Sequence, residues 1–269
     1  MDRNRISALA HADHPIAAPL NDASVARLLD RALREGTGSG RVLDLGCGSA
    51  EWLVRAVEGR PGVQAVGVDL DAGTVARARE GVEARGLGDR IALEAGDAAA
   101  FTTEAPFELV LCVGATHAFG GLLPTLRAAH EHLAPGGSVL VGDGFWEREP
   151  DPGTLGAGFA ADEYADLATT VDRVATAGWT PTYGHVSTLD EWDEYEWSWT
   201  GSLSRWALDH PGDPDSGAAL DAAAGHRTAW LRGYRRTLGF VTLVLRRTPE
   251  HSLPRQPVPL HPASNSTFR

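Results

Sequence analysis

The residues best suited to chemistry begin with Val42-Leu43-Asp44-Leu45-Gly46-Cys47-Gly48-Ser49-Ala50. A short apolar run ends on a carboxylate and turns through small residues into a helical pattern. Small residues in such a turn let a bulky ligand come close to the backbone. A dinucleotide fingerprint would place a third glycine at position 51, under a pyrophosphate at the helix N-terminus. Glu51 stands there instead. Its charge and that of Asp44 repel phosphate and favour a ligand that carries positive charge.

Two more acids follow at the ends of apolar runs. Asp69 closes Val66-Gly67-Val68, where its two oxygens can accept from a pair of ribose hydroxyls, while Asp71 suits the cap of the next helix. Asp97, after Glu94-Ala95-Gly96, is suited to accept from an adenine amino group, with Ala98 beside it. If the three runs are adjacent parallel strands, their acids share one crevice at the carboxyl edge of the sheet.

The elements that must hold these residues alternate. Strands are expected at 42–45, 63–68, 91–94, 107–113 and 138–142, and helices at 22–34, 51–58, 72–85 and 122–133, with Ala134-Pro135-Gly136-Gly137 as a turn before the fifth strand. This rhythm signals βαβ units around a parallel sheet. Beyond Trp146 it changes to a Pro/Gly-rich connection at 150–158 and a helix over 164–176. A strand over 180–187, helices over 189–208 and 218–237, and a last strand over 240–246 follow. One domain is expected over 1–247, with 151–238 as a cap region, and the proline-rich tail 248–269 reads as disordered.

Composition narrows the partners. The chain has 269 residues, a net charge of −12 and a pI near 5.2, against a surface built to track nucleic-acid phosphates. It has no signal-peptide run and no segment of membrane-spanning length, so a cytoplasmic protein is expected. Cys47 and Cys112 should be free thiols. His130 and His132 diverge on a helix and do not form a metal pair, and no metal requirement is expected.

Asp44 through Ala50, Asp69, Asp97-Ala98 and Pro135-Gly136-Gly137 before a fifth strand resemble the ordered motifs of class I S-adenosylmethionine (SAM)-dependent methyltransferases. The resemblance covers roughly residues 22 to 145, with Ala50 where many members have glycine. It implies a Rossmann-like α/β fold whose seven-stranded sheet ends in an antiparallel strand. It also implies Gly46 and Gly48 under the methionine part of SAM, Asp69 on its ribose, and Asp97 with Ala98 at its adenine. Asp44, Cys47, Leu70, Cys112 and Val113 complete the implied cofactor contacts. The segment 111–121, Trp192-Asp193-Glu194-Tyr195-Glu196, and His14-Pro15 are similar to a bacterial branch near the ubiquinone and menaquinone C-methyltransferases.

Methyl transfer of this kind needs alignment and exclusion of water, and a base only where the acceptor must lose a proton. His117, on the loop after the fourth strand, is the candidate base. Trp192, Tyr195, Trp199 and Trp206 share a helix face that either seals the cap or walls a pocket for a flat or cationic acceptor. His14, Trp146, Trp192 and Tyr195 are the acceptor candidates, and the acids from Asp190 to Glu196 read as a solvated face. A small-molecule acceptor is expected. The alternatives are tRNA or protein methylation, with Arg232, Arg235, Arg236, Arg246 and Arg247 as its support, and a SAM-binding regulator without turnover.

Overall fold

The computed structural model describes residues 1–33 and 40–249. The expected tail at 250–269 and the glycine-rich helix stop at 34–39 lie outside the described residues. Seven strands form one sheet in the order β3-β2-β1-β4-β5-β7-β6. Strands β1 (Gly40–Leu45), β2 (Val63–Asp69), β3 (Ile91–Ala95), β4 (Phe107–Val113) and β5 (Leu133–Trp146) are parallel. Strand β7 (Leu238–Arg247) runs antiparallel between β5 and β6 (Trp179–Val186).

Alternation along the strands sends side chains to two cores. Val42, Ala65, Leu111 and Leu140 pack under α2 (Asp22–Ala32), α3 (Glu51–Val57) and α4 (Ala72–Ala84). Leu43, Val110, Val139 and Phe145 face α5 (Leu122–Glu131) and α7 (Leu167–Thr176) on the other side. Caps set where helices start: Asn21 accepts from Ser24 N–H, and Asp71 from Thr74 N–H. Strand β5 begins five residues earlier than expected, because Ala134 to Gly137 remain in the strand across a register shift opposite Phe107 and Leu109.

The cap differs more from expectation. An unforeseen helix α1 (Arg3–Ala10) packs its Ala10 against Leu203, Ala207, Ala219 and Ala223 of α8 (Leu189–Asp209) and α9 (Ser216–Ala229). A further short helix, α6 (Pro152–Gly156), occupies the expected Pro/Gly-rich connection. The helix expected over 218–237 stops at Ala229 and continues as a π-turn, Trp230–Tyr234. The turn meets α6 closely: Thr154 Oγ1 donates to the Gly233 carbonyl at 2.7 Å, and a Cβ on Gly233 would lie 2.7 Å from that of Ala157. No described helix is long and apolar enough to cross a membrane.

Packing is tight where β2 passes under the loop that follows β1. A Cβ on Gly67 would fall 2.8 Å from Cys47 Sγ, Leu53 Cδ1 and Leu93 Cδ2, all buried. Gly67→Ala is therefore expected to cost about 1 to 3 kcal/mol, as overpacked cores do, and urea unfolding monitored by circular dichroism checks it. An unchanged midpoint would mean that this contact is loose.

Candidate active site

The chain leaves β1 for β2 on one side and later reaches β4 on the other, so the loops after β1 and β4 part at the carboxyl edge of the sheet. Ligand crevices form at such points in open α/β sheets. The first loop turns through Gly46 at φ +91° and Gly48 at φ +50°. A Cβ on Gly46 would lie 2.5 Å from that of Ala115 in the loop after β4, whereas a Cβ on Gly48 would meet open space. Glycine is thus required at 46 by close approach, and at 48 by the left-handed backbone beside an open cradle. Ala50 also takes a left-handed conformation, with φ 62°, at the cap of α3.

Asp69 fastens this loop. Its Oδ2 accepts from Gly48 N–H at 2.9 Å and its Oδ1 from Asp71 N–H at 3.0 Å, which leaves further lone pairs on both oxygens. Asp44 is 2% exposed, and burial, then the charge of Asp69, pushes its carboxyl up to about 7. Cys47 and Cys112 are buried free thiols, held protonated by burial and next by the charge of Asp44. Val113 ends β4 at the same edge. Leu70 is 78% exposed just past Asp69. Asp97 is exposed after β3 and caps the 3-10 turn Ala98–Ala100 through Ala99 N–H, with Ala98 itself buried. The remaining lone pairs of Asp69, the open space beside Gly48 and the buried acid of Asp44 together offer acceptors and room for a polar ligand.

One inference from the sequence needs correction. Glu51 pairs with Arg55 and, at 2.8 Å, with Arg85, so its charge is neutralised within α3 and α4. What disfavours a pyrophosphate in this loop is the Asp69 carboxylate, to which Gly48 N–H is committed.

The remaining candidates fall into two groups. His117 is exposed on the 3-10 turn Thr116–Phe119 and lines a cavity of about 540 Å³ with Asp143, Glu163, Tyr164 and Arg173. Thr116 Oγ1 donates to Asp143 Oδ1 at 3.0 Å; burial raises the Asp143 carboxyl, and this hydroxyl, the Gly144 N–H and His117 oppose the rise. Trp146 is buried beside that cavity, edge-on to Tyr164 and Phe159, and its Nε1 donates to the Ala161 carbonyl. His14, Trp192 and Tyr195 form a separate aromatic cluster in the cap: the Tyr195 ring lies 5.3 Å from His14 and 6.4 Å from Trp192. Phe159 and Tyr234 link the two groups.

The run from Asp190 to Glu196 is not a solvated face throughout. Glu191 is buried, accepts from Asn21 and Thr188 N–H, and meets His185 Nε2 at 2.9 Å. Glu196, 2% exposed, takes the Tyr234 hydroxyl and His226 Nε2, each at 2.7 Å. Asp193 holds Arg235 through two bonds, at 2.8 and 2.6 Å. His130 and His132 turn to Trp179 and Phe101 respectively. Sequence reasoning missed Asp143, Tyr234, His226 and the N-terminal helix. The signature Thr188-x-x-Glu191, a capping box, was the one local sign of a buried acid.

Residues 42–137 match a family described as methyltransferase domain. The uncharacterised Escherichia coli protein YjhP is 28% identical over 216 residues, which cover 79% of this chain and 86% of YjhP. A SAM-dependent methyltransferase of Geobacter sulfurreducens, solved with S-adenosyl-L-homocysteine (SAH), has a TM-score of 0.81 and 25% identity, covering 90% of this chain and 98% of its own. Another from Thiobacillus denitrificans, also solved with SAH, has a TM-score of 0.81 and 26% identity, covering 92% of this chain and 100% of its own. The likeness extends over about nine-tenths of this chain, and together with the methyltransferase domain at 42–137 it makes the chain a SAM-dependent methyltransferase of Rossmann-like class I fold, an enzyme that takes SAM as its cofactor.

Proposed function

We propose that this methyltransferase acts on a small molecule bound at the carboxyl ends of β4 and β5, with His117 accepting a proton where the acceptor must lose one. The observation that carries the reading is the cavity of about 540 Å³ in which His117 and Asp143 meet, a volume typical of small-ligand sites. When bound, SAM supplies an electrophilic methyl group and a good leaving group. The loop at Gly46, Cys47 and Gly48 cradles its methionine end, and Asp44 offers the ammonium a buried carboxylate. Asp69 accepts from the ribose, Leu70 covers the adenine, and Asp97 with Ala98 meets its edge; Cys112 and Val113 floor the crevice between β1 and β4.

Trp146 forms one acceptor wall through its contact with Tyr164, and His14, Trp192 and Tyr195 form the roof in the cap, which excludes water from the transfer. Macromolecular acceptors have less support than the sequence offered. Arg235 is occupied by Asp193, Arg246 by the Gly136 carbonyl, and Arg247 by the Ala177 carbonyl, so these three side chains are already engaged. A cavity beside the crevice also favours turnover over a purely regulatory SAM-binding role. The acceptor is not taken from the quinone C-methyltransferases, since none of the relatives named above is one. A cytoplasmic setting fits this reading.

The protein, given methyl-labelled SAM and a bacterial extract, should place label in the ultrafiltrate, and His117→Ala should lower that labelling by about a hundred- to ten-thousandfold, the span of general base catalysis. Label confined to RNA or protein would overturn the small-molecule reading.

Asp69→Ala should weaken SAH by about 1.5 to 3 kcal/mol in calorimetry, the value of hydrogen bonds to a charged group. Equal affinity would displace the ribose from Asp69.

Asp44 gives a pH signature. Its carboxyl titrates near 7 when folded and near 3.8 otherwise, so the folded protein holds the extra proton between those values. Stability therefore falls as pH rises through that window, by on the order of 4 kcal/mol at full ionisation. Asp44→Asn should remove this part of the pH dependence in urea melts at pH 5 and 8. Binding of a ligand ammonium favours the carboxylate, so SAH should release protons just below pH 7, measurable by calorimetry in buffers of different ionisation enthalpy. Identical proton release by wild type and Asp44→Asn would assign it elsewhere.

A further inference from the structure

The N-terminal segment touches all three loops around the crevice. Asn4 Nδ2 donates to Asp71 Oδ2 at 2.6 Å, beyond β2. Ser49 Oγ, in the loop after β1, donates to the Pro15 carbonyl at 3.1 Å. The Ala17 carbonyl lies 3.3 Å from where a Cβ on Gly114 would stand, just after β4. A chain fixed at these three places crosses the carboxyl edge over which the crevice opens.

We infer that residues 1–20 form a strap across the cofactor crevice, which must release before SAM enters or SAH leaves. The inference rests on the cofactor placement proposed above. The two halves of the strap are held differently. Ile16, Ala18 and Leu20 are buried in the core under α2 and α3, and they form the fixed root. The outer half is an eight-residue helix on α8 and α9, with Ile6 and Leu9 partly buried. Its polar latch is Arg5 with Asp215 and, at 3.2 Å, Asp213, together with Asp13 on Arg205 and, at 2.6 Å, on the Ser202 hydroxyl. Short elements tied by partly exposed ion pairs open at lower cost than sheet strands do.

Release of the outer half uncovers Asp71 and the adjoining Asp69, and it carries His11 and His14 away from Tyr195, whose ring lies 5.8 and 5.3 Å from theirs. The strap thus joins cofactor exchange to assembly of the proposed acceptor roof. Closing it completes both sites together. Asn4 is a positioning residue in this scheme, acting through Asp71, whose N–H donates to Asp69.

The test uses SAH and stopped-flow tryptophan fluorescence on the full chain. Arg5→Ala and Asn4→Ala, both at exposed positions, should speed SAH dissociation roughly three- to tenfold, with association faster as well, the scale of losing exposed ion pairs and one hydrogen bond. Salt should speed wild-type exchange and affect Arg5→Ala less, because the screened contact is already gone. A second variant locks the strap: Asn4→Cys with Asp71→Cys, oxidised after loading with SAH, should hold the ligand at least about a hundredfold longer than its reduced form. The native thiols, Cys47 and Cys112, are buried and do not compete. Unchanged kinetics in both single variants, or release from the confirmed disulfide form at the reduced rate, overturns the strap while leaving the cofactor placement intact. Failure of the wild type to bind SAH would remove that placement, and the strap with it.

Discussion

Five parallel strands present one carboxyl edge, and the chain must run outward from β1 in both directions to build them. Two loops are thereby pulled apart at the sheet's centre, and the gap cannot be filled by the backbone that made it. Glycine at 46 lets the first loop lie against Ala115, and Gly48 turns its amide onto Asp69. The buried acid of β1 sits beneath. In the reading proposed above, each feature narrows the gap to the shape of a ligand that has a cationic end.

That arrangement trades stability for binding. Asp44 and Asp69 lie close enough to raise the Asp44 carboxyl, and among the described residues no cation pairs with Asp44. An isolated protein would be better served by a neutral side chain at 44. A cationic ligand reverses the balance, since the buried charge then gains a partner in a site of low dielectric. The cap is held together by buried polar bracing as well as apolar packing. Glu196, clasped by Tyr234 and His226, ties α8 to the π-turn that ends α9.

The crevice was largely legible from sequence because its signals are local. A strand buried on both faces, a glycine turn and a capping aspartate each leave a mark within a few residues, and β1, β2 and β4 fall within two residues of the expected bounds. The cap was less legible. Helix α1 is short and draws its stability from α8 and α9, some two hundred positions away, so no window of sequence displays its reason to exist. Glu196 looks like its exposed neighbours until helices eight and nine are brought together. Asp143 could be read as the end of a strand, but its partnership with Thr116 depends on the pairing of β4 with β5.

The placing of β7 bears on how the chain is made. It is the last strand described, yet it lies between β5 and β6 and gives β6 its pairing in the sheet. As the chain emerges from the ribosome, β1 to β5 can zip together and shape the cofactor half, while β6 waits without a neighbour through the synthesis of α8 and α9. For that interval Thr180 to Val186 is a strand with both edges open, and Pro181 and the register shift beside it interrupt any regular pairing with another chain. The order of the strands in space therefore lets the sheet close only after β7 has been made.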